Sequence, residues 1–109
     1  MSRCIVLLGD SIFDNGIHTG GEPDVLSHLR SLLPAGWEAA LLAVDGSTTA
    51  DLPDQLGRLP TEASHLVVSI GGNDVLGDYD LLTLPARSVS QALALLFEAR
   101  YRVMSADAA

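Results

Sequence analysis

Residues 4–11 read Cys4-Ile5-Val6-Leu7-Leu8-Gly9-Asp10-Ser11. The unbroken apolar run Cys4 to Leu8 shows no polar alternation, which suits a strand buried on both faces. Gly9 ends it. A strand of this kind belongs to a parallel sheet covered by helices. The polar stretch from Gly9 to Gly16 then becomes a strand-to-helix connection.

Working outward, Pro23 to Leu33 reads as a helix. Pro23 suits its first position, and Glu22 and Asp24 suit the positive end of its dipole. Val25, Leu26, Leu29, Leu32 and Leu33 form one apolar stripe, and Pro34 and Gly36 stop it. Trp37 to Val44, lying between two glycines, reads as a second strand. Thr48-Thr49-Ala50-Asp51 has the spacing of a capping box, and the short helix after it runs to about Arg58. His65 to Ile70 is the third strand, by its β-branched content. Pro85 to Met104 reads as a last helix, with Val89, Ala92, Leu93, Leu96 and Phe97 on one stripe, and the tail from Ser105 frays. The order β-α-β-α-β-α implies an α/β fold, a three-layer doubly wound parallel sheet with right-handed crossovers.

Composition narrows the function. A chain of 109 residues allows one domain with one modest core. A hydrophobic content of 48% excludes a mostly disordered chain. All six basic residues are Arg, set against fourteen acids for a net charge of −8. That balance repels phosphate backbones and anionic membrane surfaces, so neither a nucleic acid nor a membrane is expected as a partner. The Cys4–Leu8 run is far shorter than the roughly 18 residues of a membrane span. It also lacks the flanks of a signal peptide. One cysteine forms no intrachain disulfide, and Cys4 is expected as a buried strand residue. The expected location is cytoplasmic.

In doubly wound sheets ligands bind beyond the carboxyl ends of the strands, where strand order reverses. Each strand here is followed by a loop of small and polar residues: Gly9 to Gly16, Asp45-Gly46-Ser47-Thr48-Thr49, and Gly71-Gly72-Asn73-Asp74. Turns and helix caps explain any one of them. Their phase with all three strands points to a site.

Gly9-Asp10-Ser11 and Gly71-Gly72-Asn73-Asp74, with Gly46 between, resemble in order and spacing the sequence blocks of the SGNH (GDSL) hydrolases. The resemblance implies a flavodoxin-like fold and hydrolysis of small-molecule esters. It implies Ser11 as nucleophile, and an oxyanion hole made of the Ser11 N–H, the Gly46 N–H and the Asn73 side-chain amide. No cofactor and no metal are implied. The residue types fit, because ester hydrolysis needs a nucleophile and donors for the developing oxyanion. Asp10, Asp14 and Asn15 are expected to brace the loop, and Asp74 to cap the next element.

The family takes its base and orienting acid from a later Asp-x-x-His, and no such motif occurs here. The resemblance spans nearly the whole chain but about half of a family domain. The expectation is therefore a partial domain, truncated after its third βα unit: a fragment, a shortened gene product or half of an assembly. Hydrolysis is then weak, because such sites retain about 10³–10⁴-fold over water without a triad member. The alternative is an inert remnant acting as a ligand-binding or interaction module. His65 opens the third strand, about 16 Å from its carboxyl end. His28 pairs with Asp24 at i,i+4. His18 shares the Ser11 loop, as a solvated residue or as a base. The third strand, lacking a neighbour, is an apolar edge expected to self-associate. The single Gly-Gly-Asn-Asp unit is too little for a calcium-binding repeat. A cation held by Asp74, Asp78 and Asp80 is a weaker reading than a solvated acidic loop.

Overall fold

A computed structural model describes residues 3–77 and 84–97. The chain divides into two compact units, Met1–Ile70 and Gly71–Ala109. The first runs β1 (Arg3–Gly9), a 3-10 turn (Gly16–His18), α1 (Val25–Leu32), β2 (Trp37–Leu41), a second 3-10 turn (Thr49–Asp51), α2 (Leu52–Leu56) and β3 (Ala63–Ser69). Its strands form one parallel sheet in the order β2-β1-β3. The unit is α/β, as its alternation of patterns implies.

β1 is the centre of the sheet. Val6 and Leu8 are fully buried and Leu7 is 3% exposed, so both faces are covered. Burying each such side chain contributes about 1.5–3 kcal/mol. Cys4, Val6 and Leu8 form the core, against which Ala40 and Leu42 pack from the β2 side and Leu52 and Leu59 from the α2 side. Cys4 is a buried strand residue, as expected. Burial, with Glu38 and Glu62 nearby, pushes its thiol pKa up.

α1 begins two residues later than the sequence suggests. Asp24 is its N-cap, accepting a hydrogen bond from the Ser27 N–H at 2.9 Å, so Pro23 lies outside the helix. That capping bond takes the Asp24 carboxylate, and the expected ion pair with His28 does not form. The apolar stripe is narrower than expected too. Val25, Leu26, Leu29 and Leu33 are half-buried, whereas Leu32 is 80% exposed.

β2 stops at Leu41 rather than Val44. The N–H groups of Leu42 and Ala43 both donate to the Leu7 carbonyl, and the chain leaves the ladder there. Thr48 and Asp51 form the expected capping box, though it closes a 3-10 turn that feeds α2. α2 ends at Leu56, with Gly57 as its C-cap. At β3 the register slips by one residue, since Cys4 pairs with Ala63 and Ile5 with His65. The skipped Ser64 accepts from the Cys4 N–H at 2.9 Å and donates to its carbonyl at 3.1 Å, replacing the missing ladder bonds. Leu66, Val67 and Val68 of β3 are 43–50% exposed.

In the second unit α3 spans Gly72–Gly77. The expected Gly71–Asp74 loop is therefore mostly the first turn of a helix, started by a hydrogen bond from the Val75 N–H to the Gly71 carbonyl. Residues 89–97 are also helical. Pro85 lies before this helix, because Ser88 takes the cap and accepts from the Gln91 N–H at 3.1 Å. Of the expected stripe, Val89, Leu93, Leu96 and Phe97 are exposed. Its continuation to Met104, the tail, and the acidic residues Asp78 and Asp80 lie outside the described residues. No described helix is long and apolar enough to cross a membrane.

Candidate functional site

The end of β1 is built around a close backbone approach. A Cβ at Gly9 would lie 1.8 Å from the Ser69 carbonyl oxygen, and Gly9 has φ +131°. Only glycine meets both demands. The next N–H, from Asp10, donates to that same Ser69 carbonyl at 3.2 Å. Asp10 is buried and organises the turn after it. Its Oδ1 accepts from the Ile12 N–H, and its carbonyl accepts from the N–H groups of Phe13 and Asp14. Ser11 sits inside this turn, half-buried, one residue past the approach of β1 to β3.

The loop after β2 is clasped to the Ser11 loop. The Asp45 N–H donates to Asp14 Oδ2 at 2.8 Å. His18 Nε2 lies 3.0 Å from Asp45 Oδ2. The Val44 N–H donates to the Gly9 carbonyl at 3.1 Å. Asn15 ties the same loop to α1 by accepting from the Val25 N–H. Asp10, Asp14 and Asn15 thus hold loop backbone, the bracing expected of them. Gly46 follows Asp45 with φ +88° and open space around it, so glycine is required by conformation and not by crowding.

Donor pairing sets Ser11 and Gly46 apart from their immediate neighbours. The N–H groups of Ile12, Phe13, Asp14, Asp45 and Ser47 all donate within the protein. Among the described residues, the Ser11 and Gly46 N–H groups donate to nothing, as those of Asn15 and Gly16 do not either, and the Ser11 hydroxyl has no partner. Beside Gly46 lies an open depression of about 430 Å³, lined also by Asp45, Asp51, Asp54 and Arg58. Its volume falls in the range of small-molecule sites.

The structure brings Ser11 and Gly46 onto two loops clasped together at one end of the sheet. Asn73 belongs to the second unit, half-buried in the first turn of α3. His65 lies at the opposite end of the sheet. Its ring centroid is 5.2 Å from that of Trp37, over which the Arg3 guanidinium also sits.

Two residues of this region escape a sequence reading. Asp45 acts through contacts 27 and 31 positions away in the chain. Gln55, buried on α2, accepts from the Gly9 N–H at 2.8 Å. Its amide nitrogen donates to the Gly9 carbonyl at 2.8 Å and to Ser47 Oγ at 3.3 Å. The available signal is its place on the stripe Leu52, Gln55, Leu59, where a polar side chain faces the core and must find partners. No protein-family model, curated protein or solved structure significantly matches this chain.

Proposed function

We propose that this chain is a serine-dependent hydrolase of small-molecule esters, of the SGNH type, with Ser11 as nucleophile. The supporting observation is the donor pattern. Ser11 and Gly46, on adjoining loops, each carry an N–H without a partner among the described residues, between immediate neighbours whose N–H groups are bonded. An oxyanion hole needs donors that are held in place yet unpaired. In the proposed reaction Ser11 Oγ attacks the ester carbonyl. The Ser11 and Gly46 N–H groups receive the oxyanion, each donor lowering the barrier by about 2.7–4 kcal/mol. The depression beside Gly46 takes part of the substrate.

The finer fold belongs to the same proposal. The chain moves from β1 to β2, then back across β1 to β3. With right-handed crossovers, steps in opposite directions put α1 and α2 on opposite faces. That gives a doubly wound, flavodoxin-like sheet whose switch point lies between β1 and β3, where Ser11 follows its strand. The half-exposed residues of β3, at the edge of the described sheet, support pairing with a second copy of the chain.

The test is hydrolysis of p-nitrophenyl acetate by the chain and by Ser11→Ala, with fluorophosphonate labelling of both. The expected result is a rate and a label that Ser11→Ala abolishes. Equal rates and no label would refute the esterase reading and leave a ligand-binding or interaction module.

A further inference from the structure

We infer that Asp14 is a positioning residue of the proposed reaction, one that places the Gly46 N–H against the Ser11 turn. This rests on the reading of Ser11 as nucleophile and Gly46 as oxyanion donor. The donor sits in a tight turn. The Ser47 N–H donates to the Val44 carbonyl at 3.0 Å, which closes Val44-Asp45-Gly46-Ser47. Gly46, at the third position, has φ +88°, while Asp45, at the second, has no positive φ. Those signs define a type II turn. A type I turn differs chiefly by a flip of its central peptide, and that peptide carries the Gly46 N–H. Glycine therefore selects the face on which the donor emerges.

Turn type sets the donor's direction, and cross-loop bonds set its place. The Val44 N–H donates to the Gly9 carbonyl at 3.1 Å, which ties the first residue of the turn to the end of β1. Asp14 ties the second, since its Oδ2 accepts from the Asp45 N–H at 2.8 Å. Asp14 is itself fixed in the Ser11 turn, where its N–H donates to the Asp10 carbonyl at 3.0 Å. One side chain thus joins the turn that holds Ser11 to the residue immediately before Gly46. A carboxylate on an N–H is a charge-assisted bond, roughly twice as strong as a neutral one. His18 grips the same residue only through its carboxylate, 3.0 Å from Nε2, with a rotatable side chain between that contact and the backbone. Asp14 grips the backbone itself. A misplacement of about 1 Å can cost roughly 10²-fold in rate, so a slip of the Gly46 turn weakens the reaction without unfolding the sheet.

The rival role for Asp14 is a brace of the fold alone. Hydrolysis of p-nitrophenyl acetate, read as the Ser11-dependent kcat and KM beside thermal melts, separates the two. Asp14→Ala is expected to lose about 10–10²-fold in kcat with KM within about twofold, the pattern of a contact that counts only in the transition state. Asp14→Asn keeps an acceptor oxygen and is expected to restore most of that loss. Asp45→Pro tests the same bond from its other end. Proline removes the N–H that Asp14 accepts and suits the second position of a type II turn. It is expected to lose kcat as Asp14→Ala does, and Asp14→Ala is expected to add nothing on that background. A folded Asp14→Ala protein with wild-type kcat overturns the inference while leaving Ser11 as nucleophile. So does a loss that Asp14→Asn shares in full, or an undiminished effect of Asp14→Ala beside Asp45→Pro. If Asp14→Ala does not fold, a wild-type kcat in Asp45→Pro overturns it. Wild-type and Ser11→Ala rates that coincide overturn both readings.

Discussion

Gln55 offers the most direct test of how the site end of the sheet is held. Past Leu41 the β2 chain leaves the ladder, and the Gly9 N–H bonds to Gln55 Oε1 rather than to strand backbone. The same amide donates to the Gly9 carbonyl and to Ser47 Oγ. Gln55→Leu keeps the volume and removes all three bonds. A stranded buried N–H costs about 1–3 kcal/mol, and each lost donor bond about 0.5–1.5 kcal/mol. The Gly9 carbonyl keeps its bond from the Val44 N–H, which limits the loss on that side. The added apolar burial returns about 1 kcal/mol. The expected net loss is about 2–3 kcal/mol, a large part of the roughly 5–15 kcal/mol by which domains are stable.

In urea this loss is a fall in midpoint of about 1–2 M at an unchanged slope. Gln55→Glu refines the test. An ionised carboxylate accepts from the Gly9 N–H but cannot donate to its carbonyl, and it places a charge in a buried site. Its folded pKa is therefore raised, so the variant is most stable at low pH, where the acid is protonated, and loses stability as the pH rises. A Gln55→Leu protein within about 0.5 kcal/mol of wild type would refute the reasoning, since that is the scatter of surface substitutions. So would a Gln55→Glu protein as stable as wild type at neutral pH.

Other substitutions probe other parts of the molecule. Gly9→Ala drives a Cβ into the Ser69 carbonyl at 1.8 Å and is expected to cost roughly 3 kcal/mol or more in a urea melt. A smaller loss would mean that β1 and β3 do not approach there. The Asp24 carboxyl is held below its ordinary value by the Ser27 hydrogen bonds. Its contribution is present above the unfolded pKa of about 3.9 and lost as the pH falls through the lower folded value. Wild-type protein should therefore lose more stability than Asp24→Asn as the pH is lowered from about 5 to about 2, followed by thermal melts. Val67→Lys, on the half-exposed edge strand β3, should shift sedimenting material towards the 11.4 kDa monomer. Unchanged sedimentation would place any self-association elsewhere.

Local pattern made the elements legible where burial and periodicity agreed. The unbroken apolar run of β1 marked the central strand, and Thr48-x-x-Asp51 marked a cap. Boundaries went astray wherever a side chain outcompeted the pattern. Asp24 and Ser88 took the caps and left Pro23 and Pro85 outside their helices. The bifurcated Leu7 carbonyl ended β2 early. Of the candidate site, the loops that carry Ser11 and Gly46 were legible because small and polar residues follow the strand ends. Asp45 and Gln55 were not, because the bonds that join Asp45 to His18 and Asp14, and Gln55 to Gly9, span 27 or more positions. No window along the chain contains both halves of such a bond.

The three residues Gly9, Asp10 and Ser11 separate what the fold needs from what it does not. Gly9 is required by the Ser69 carbonyl, and Asp10 by the turn that its carboxylate and carbonyl build. Ser11 makes no hydrogen bond among the described residues. Stability therefore explains the first two and not the third. Asp10→Ala removes a buried acceptor from the Ile12 N–H and should cost about 1–3 kcal/mol. Ser11→Ala should melt within about 0.5 kcal/mol of wild type, as substitutions that break nothing do. A Ser11→Ala protein destabilised by more than about 1 kcal/mol would give the hydroxyl a structural role. If stability is unchanged while esterase activity is lost, the hydroxyl contributes to the reaction and not to the fold.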